Sequence, residues 1–124
     1  MVQKNGGTAY AYTVDITSRH KIFTAAQEVK QEVGTVKILI NNAGIVSGTS
    51  LLDTTDEKII RTFDVNVLAH FWTIKAFMPD MILNKKGHIV TVASLAGHSG
   101  TNKLVDYCSS KFAAVGLDEA LKVN

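Results

Sequence analysis

The sequence predicts a doubly wound α/β fold, and three observations carry that reading. Short apolar, β-rich runs alternate with longer stretches whose apolar residues recur at helical spacing. Cap and stop residues delimit those helical stretches. Proline occurs once in 124 residues, as expected of packed helices and strands without a long linker. Strand and helix alternating at this spacing form parallel βαβ units with right-handed crossovers.

Each element follows in order. Residues 8–16 are apolar and β-rich and read as a strand. Ser18 can cap a helix that runs to Val33, with Ile22, Phe23, Ala26, Val29 and Val33 on one face and Gly34 as its stop. Residues 36–40 read as a short buried strand. Thr54 with Glu57 has the spacing of a capping box and opens a long helix. Ile60, Phe63, Val67, Phe71, Ile74 and Met78 make the stripe of that helix. Residues 88–93 are the next strand, and a last helix begins before Tyr107.

Composition bounds the function. A chain of this length, 46% hydrophobic, is one domain at most and can in principle build a core. The net charge of +2 is spread along the chain, which gives no support to a nucleic-acid or membrane-surface role. One cysteine excludes an internal disulfide and fits a reducing compartment. No apolar run approaches the ~18 residues needed to span a bilayer, no signal peptide opens the chain, and there are no repeats.

The chemistry is concentrated between Ser94 and Lys111. Tyr107 and Lys111 are four apart and share one helix face, one turn above the other. Ser94 closes the strand His88-Ile-Val-Thr-Val-Ala-Ser94, whose carboxyl end can present a hydroxyl to a ligand crevice. An isolated tyrosine, with a pKa of about 10, is a sluggish base at neutral pH. A neighbouring cation favours the phenolate, each unit of downward shift being worth about 1.4 kcal/mol. Ser94, Tyr107 and Lys111 therefore read as the proton-handling side of an alcohol–carbonyl interconversion.

Ser94 with Tyr107-x-x-x-Lys111, preceded by Asn41-Asn42-Ala43-Gly44 at the end of another strand, resembles the short-chain dehydrogenase/reductase superfamily. The wording Asp64-Val-Asn66-Val-Leu-Ala-His70-Phe-Trp72 and Gly87-His-Ile-Val-Thr-Val-Ala-Ser94 is most similar to its membrane-associated branch, the retinol dehydrogenases and lipid-droplet-type 17-beta-hydroxysteroid dehydrogenases. The likeness runs from about Thr8 to about Leu121. It implies a partial Rossmann-like sheet holding strands three to five of an order 3-2-1-4-5-6-7. The chain then reads as an internal fragment, residues 1–124 being an incomplete NAD(P)-binding domain. The Gly-rich βαβ unit that cradles a pyrophosphate and the later substrate region have no counterpart here. Gly6-Gly7 precedes the first strand instead of joining strand to helix, so it reads as a turn. In that layout the strands at 36–40 and 88–93 are neighbours and can pair, whereas the segment at 8–16 has its usual neighbour outside these residues.

By the same resemblance Tyr107 is the catalytic acid/base. Lys111 tunes it and bonds the nicotinamide ribose, and Ser94 orients the substrate oxygen. Asn66, a mediocre helix former in mid-helix, would locally distort its helix and support a water that relays protons from Lys111. Asn42, Ala43 and Gly44 would line the cofactor, and Asp15 matches a position contacting adenine. Asp15 reads equally well as a plain helix-entry residue. The implied cofactor is NAD or NADP, and the implied substrate is a lipophilic alcohol or ketone of steroid or retinoid type. The resemblance also implies a homodimer through the long helix and the Tyr-bearing helix, and residence at the endoplasmic reticulum or lipid droplet. Without further sequence the chain would instead be cytoplasmic.

Other candidates are weaker. His20, His70, His88 and His98 lack zinc-like spacing and read as structural or solvated. Cys108 reads as a small buried hydrophobe, Ser99, Ser109 and Ser110 carry no comparable claim, and Phe71 with Trp72 reads as core or as a helix–helix dimer face. Two functions from different classes follow. One is an NAD(P)-dependent oxidoreductase. The other is a catalytically inactive remnant or splice product that only associates with relatives.

Overall fold

The computed structural model describes residues 2–123. Helix α1 spans Arg19–Glu32 and is followed by strand β1, Ile38–Asn41. Helix α2 (Asp56–Phe63) continues through a π turn at Asp64–Leu68 into α3 (Ala69–Leu83). Strand β2 (His88–Thr91) and helix α4 (Val105–Leu121) complete the order.

The helix ends follow local chemistry. Ser18 accepts from the Lys21 amide at 3.4 Å and opens α1. Gly34, at φ +105°, donates its amide to the Val29 carbonyl and closes it in a conformation that glycine alone adopts without strain. The capping box expected at Thr54 and Glu57 is not what forms. The residue entering α2 is Thr55, and the Thr54 hydroxyl turns back to the Ser50 carbonyl at 2.7 Å. A preceding 3₁₀ turn, Leu51–Asp53, captures that hydroxyl first.

β1 and β2 pair in parallel, Ile38 opposite His88 and Asn41 opposite Thr91, as expected of adjacent strands joined by a helical crossover. The strand expected at 8–16 does not form a ladder. Residues 11–16 still alternate between exposed and half-buried, the signature of an extended segment lying against the body. A strand needs a partner's amides and carbonyls, and among the described residues the sheet offers none beside this segment.

The core lies where α1 and α3 meet and where the π turn packs on α4. Ile22 and Ala26 of α1 and Ile74 of α3 are buried, the Arg19 guanidinium lies over the Phe23 and Trp72 rings, and Lys30 pairs with Asp80 at 2.9 Å. Val65, Val67, Cys108 and Ala114 fill the second region. The long-helix stripe is interrupted, because Ile60 is 60% and Phe71 40% exposed. The extra residue in the π turn puts α2 and α3 out of register with a single straight stripe.

Candidate active site

The candidate residues gather beyond the carboxyl end of the sheet, Ser94 following β2 and Asn42, Ala43 and Gly44 following β1. After β2 the chain enters a tight 3₁₀ turn, Leu95–Gly97, capped by Ser94, whose Oγ accepts from the Ala96 amide at 3.2 Å. That bond uses a lone pair and leaves the hydroxyl hydrogen free to donate. The turn is pressed onto α4. A Cβ on Gly97 would lie 2.8 Å from the Lys111 carbonyl oxygen, so only a glycine fits there.

Tyr107 and Lys111 sit one turn apart on α4. The Lys111 ammonium lies 5.8 Å from the centre of the Tyr107 ring and donates to the Val92 carbonyl at 3.0 Å. Lys111 is 3% exposed and Tyr107 half-buried, so the cation is fixed inside the protein beside a tyrosine that keeps part of its surface in solvent. One of three ammonium hydrogens is used by Val92, and two remain.

Asn66 occupies the middle of the π turn and is fully buried. Its Oδ1 accepts from the Ile45 amide at 2.8 Å, and its Nδ2 donates to the Ile45 carbonyl and the Ser110 hydroxyl, both at 2.9 Å. Ser110 passes its own hydrogen to the Tyr107 carbonyl at 2.7 Å. Asn42, Ala43 and Gly44 form an exposed turn over this cluster. A Cβ on Gly44 would come within 3.4 Å of Lys111 Nζ and 3.5 Å of Asn66 Oδ1. Gly44, Asn66 and Lys111 therefore meet at one point.

Asp15 lies across a cleft of about 540 Å³ from Asn42, Ala43 and Gly44. Its Oδ1 accepts from the Thr17 hydroxyl at 2.7 Å and amide at 3.1 Å, which hold its carboxyl below the usual range. A larger groove of about 830 Å³ runs along β2 past Met81, Ile82 and Leu121, and holds none of the sequence-predicted site residues.

Three residues around this centre carry no signal in the sequence. Ser110, which the sequence does not distinguish from its serine neighbours, is fully buried and joins Asn66 to the Tyr107 carbonyl. Only its position, between Tyr107 and Lys111 on one helix, could have marked it. Asp106 is 5% exposed, its Oδ1 accepting from Ser47 at 2.8 Å and its Oδ2 from Thr62 at 2.9 Å. Burial alone would raise its carboxyl. The Ser47 and Thr62 hydroxyls, with the amides of Tyr107 and Asp106, outweigh burial and hold it below the usual range. His70 is 2% exposed, and burial first, then the Lys111 charge, depress its imidazole below the usual histidine value. Among the described residues no cluster of three or more His, Cys, Asp or Glu is placed to hold a metal, and no helix is long and apolar enough to cross a membrane.

Comparison with known proteins places this geometry. The family model described as short chain dehydrogenase matches residues 1–124. The chain is 56% identical over 119 residues to estradiol 17-beta-dehydrogenase 11 of Mus musculus, covering 96% of this chain and 40% of the relative. It is 53% identical to human 17-beta-hydroxysteroid dehydrogenase 13, again covering 40% of that protein. It is 52% identical to human epidermal retinol dehydrogenase 2, covering 99% of this chain and 40% of that one. The chain thus spans about 40% of the length of these curated relatives. Among solved structures, NAD+-bound xylitol dehydrogenase superposes with a TM-score of 0.91 at 30% identity, over 96% of this chain and 46% of that one. A metagenomic short-chain oxidoreductase in complex with NADP gives 0.91 at 30%, over 96% and 54%.

Proposed function

The chain belongs to the short-chain dehydrogenase family, and on that premise we propose that it carries the proton-handling and nicotinamide-facing part of an NAD(P)-dependent oxidoreductase for lipophilic alcohols and ketones. The observation that carries the reading is the buried Lys111 ammonium held 5.8 Å from the ring centre of a half-buried Tyr107 and tied to Val92.

In this reading the Tyr107 hydroxyl exchanges a proton with the substrate oxygen. The Ser94 hydrogen left free by its bond to Ala96 donates to that same oxygen, orienting it and stabilising developing charge. Lys111 places positive charge beside the phenol, and its two remaining hydrogens would be the donors to a nicotinamide ribose. Asn66 holds the turn that approaches both, through its two bonds to Ile45, and a relay water would take one of the ammonium's remaining hydrogens.

The residues present fit the two ends of a nicotinamide dinucleotide. The Asp15 carboxylate lies on one side of the cleft and Asn42, Ala43 and Gly44 on the other. A side chain at Gly44 would begin 3.4 Å from Lys111 Nζ, so the bare backbone there leaves the ammonium within reach of a ligand. The group supplies hydride transfer when bound. Among the described residues no glycine-rich turn joins a strand to a helix to hold its pyrophosphate. Relatives named for estradiol, hydroxysteroids and retinol favour a steroid or retinoid-like alcohol. Residence at the endoplasmic reticulum or lipid droplet belongs to the same reading, by the resemblance of the sequence to the membrane-associated branch.

The test is turnover of the native protein carrying these residues, with NAD and NADP supplied separately, against a steroid secondary alcohol and a retinoid primary alcohol. Reduced nicotinamide should appear with at least one combination, and Tyr107→Phe should remove it. No turnover with any pair, or a Phe variant as active as native, overturns the reading.

A further inference from the structure

Two rungs cross between α2 with its π turn and α4. Thr62 and Asn66 are four apart on one side, and Asp106 and Ser110 four apart on the other. Asn66 bonds Ser110, and Thr62 bonds Asp106, each at 2.9 Å. The loop after the Asn42-Ala43-Gly44 turn attaches to both rungs, Ile45 to the first and Ser47 to the second. We propose that Asp106 is a positioning residue for Tyr107, its buried carboxylate fixing the first turn of α4 against Thr62 and Ser47. The proposal rests on the reading above, in which Tyr107 handles the proton.

A carboxylate that is 5% exposed is costly unless its oxygens are satisfied. Here each oxygen takes one hydroxyl, and the two hydroxyls come from different elements. The Thr62 hydroxyl lies 2.9 Å from both the Lys58 carbonyl and Asp106, and the charged oxygen is the stronger acceptor. An apolar side chain could fill the same volume, but it would not set the angle between three segments. A group that bonds all three does so, and those segments bear Asn66, the Gly44 turn and Tyr107. Because Asp106 precedes Tyr107 directly, fixing its backbone fixes the origin of the phenol. A displacement of about 1 Å at a reacting group can cost a hundredfold in rate.

The test uses the native protein with fluorotyrosine incorporated, comparing Asp106→Ala, Asp106→Asn and the exposed control Ser109→Ala. Tyr107→Phe identifies the Tyr107 fluorine resonance. Well below the unfolding temperature, Asp106→Ala should broaden or split that resonance while those of Tyr10 and Tyr12 stay unchanged. It should also lower kcat about tenfold or more. Asp106→Asn, which keeps an acceptor and the shape, should restore most of both, and Ser109→Ala should move neither. An unchanged Tyr107 resonance in Asp106→Ala overturns the proposal, and so does a changed resonance with native kcat. A native protein without turnover counts against the oxidoreductase reading instead, and the resonance then still decides whether Asp106 positions Tyr107.

Discussion

Asn66 bonds the same residue twice, accepting from the Ile45 amide and donating to the Ile45 carbonyl, so its carboxamide pairs with that backbone as a neighbouring strand would. Its second amide hydrogen goes to Ser110. Asn66→Asp removes both donors and sets a carboxylate against the Ile45 carbonyl. It should therefore destabilise at least as much as Asn66→Ala, by about 1–3 kcal/mol or more. Urea unfolding of the two variants measures this.

Tyr107→Phe should lower kcat about a hundredfold or more while leaving cofactor affinity and stability nearly native, because it removes one transferable proton and keeps the ring. Lys111→Ala should lower the rate and weaken cofactor binding together. Its Val92 contact and its spare donors belong to one ammonium. Steady-state kinetics beside direct titration of the cofactor separates the two patterns.

Acid should weaken the fold in two windows. The folded-state value of His70 lies below its ordinary 6.5, so the unfolded chain binds the proton more readily. The resulting stability is complete above about pH 6.5 and is lost as pH falls through the lower folded value. Asp106 is likewise held below 3.8, so its contribution is present above that pH and disappears as pH falls through its own folded value. Thermal unfolding against pH should show both declines. His70→Leu should abolish the first, and Asp106→Asn should flatten the second.

Gly97→Ala should destabilise by about 1–3 kcal/mol. The new methyl would meet the Lys111 carbonyl oxygen at 2.8 Å and Val115 Cγ2 at 3.0 Å, and backbone in the middle of α4 cannot yield. Chemical denaturation compares the variant with native protein.

The 124-residue polypeptide expressed alone should self-associate. Ile38 and Ile40 on β1 are 61% and 60% exposed, and the two-stranded sheet presents open edges to any other chain. Size-exclusion chromatography should show oligomers, and the double change of Ile38 and Ile40 to Lys should shift them toward monomer.

What the sequence made legible was local. The Ser18 cap, the Gly34 stop, the two strand segments and the Tyr-bearing helix each rest on chemistry within a few residues of one another, whereas the pairing of those strands, 50 residues apart, is expected from the resemblance alone. Residues 8–16 have strand composition, but a ladder requires a partner, and composition cannot supply one. The Thr54 capping box fails by one residue because Ser50 competes for the same hydroxyl. Ser110 and Asp106 escape a reading of the sequence because their partners lie 44 residues away along the chain, a separation that periodicity does not register. The distortion expected at Asn66 from the resemblance is the π turn at Asp64–Leu68, whereas its effect on the helix faces, which leaves Ile60 exposed, is not carried by residue type.

That turn has a consequence for how this stretch can change length. Each helical residue advances the direction of its side chain by about 100°. The π turn is ordinary helix with one residue to spare. Losing one residue between Thr62 and His70 would relax it into ordinary helix and leave α3 facing as it does, with Lys30 still on Asp80 and Arg19 still over Trp72. What would go is the bulge that carries Asn66 to Ile45 and Ser110. The same loss within α3, which has no residue to spare, would swing everything after it by about that angle.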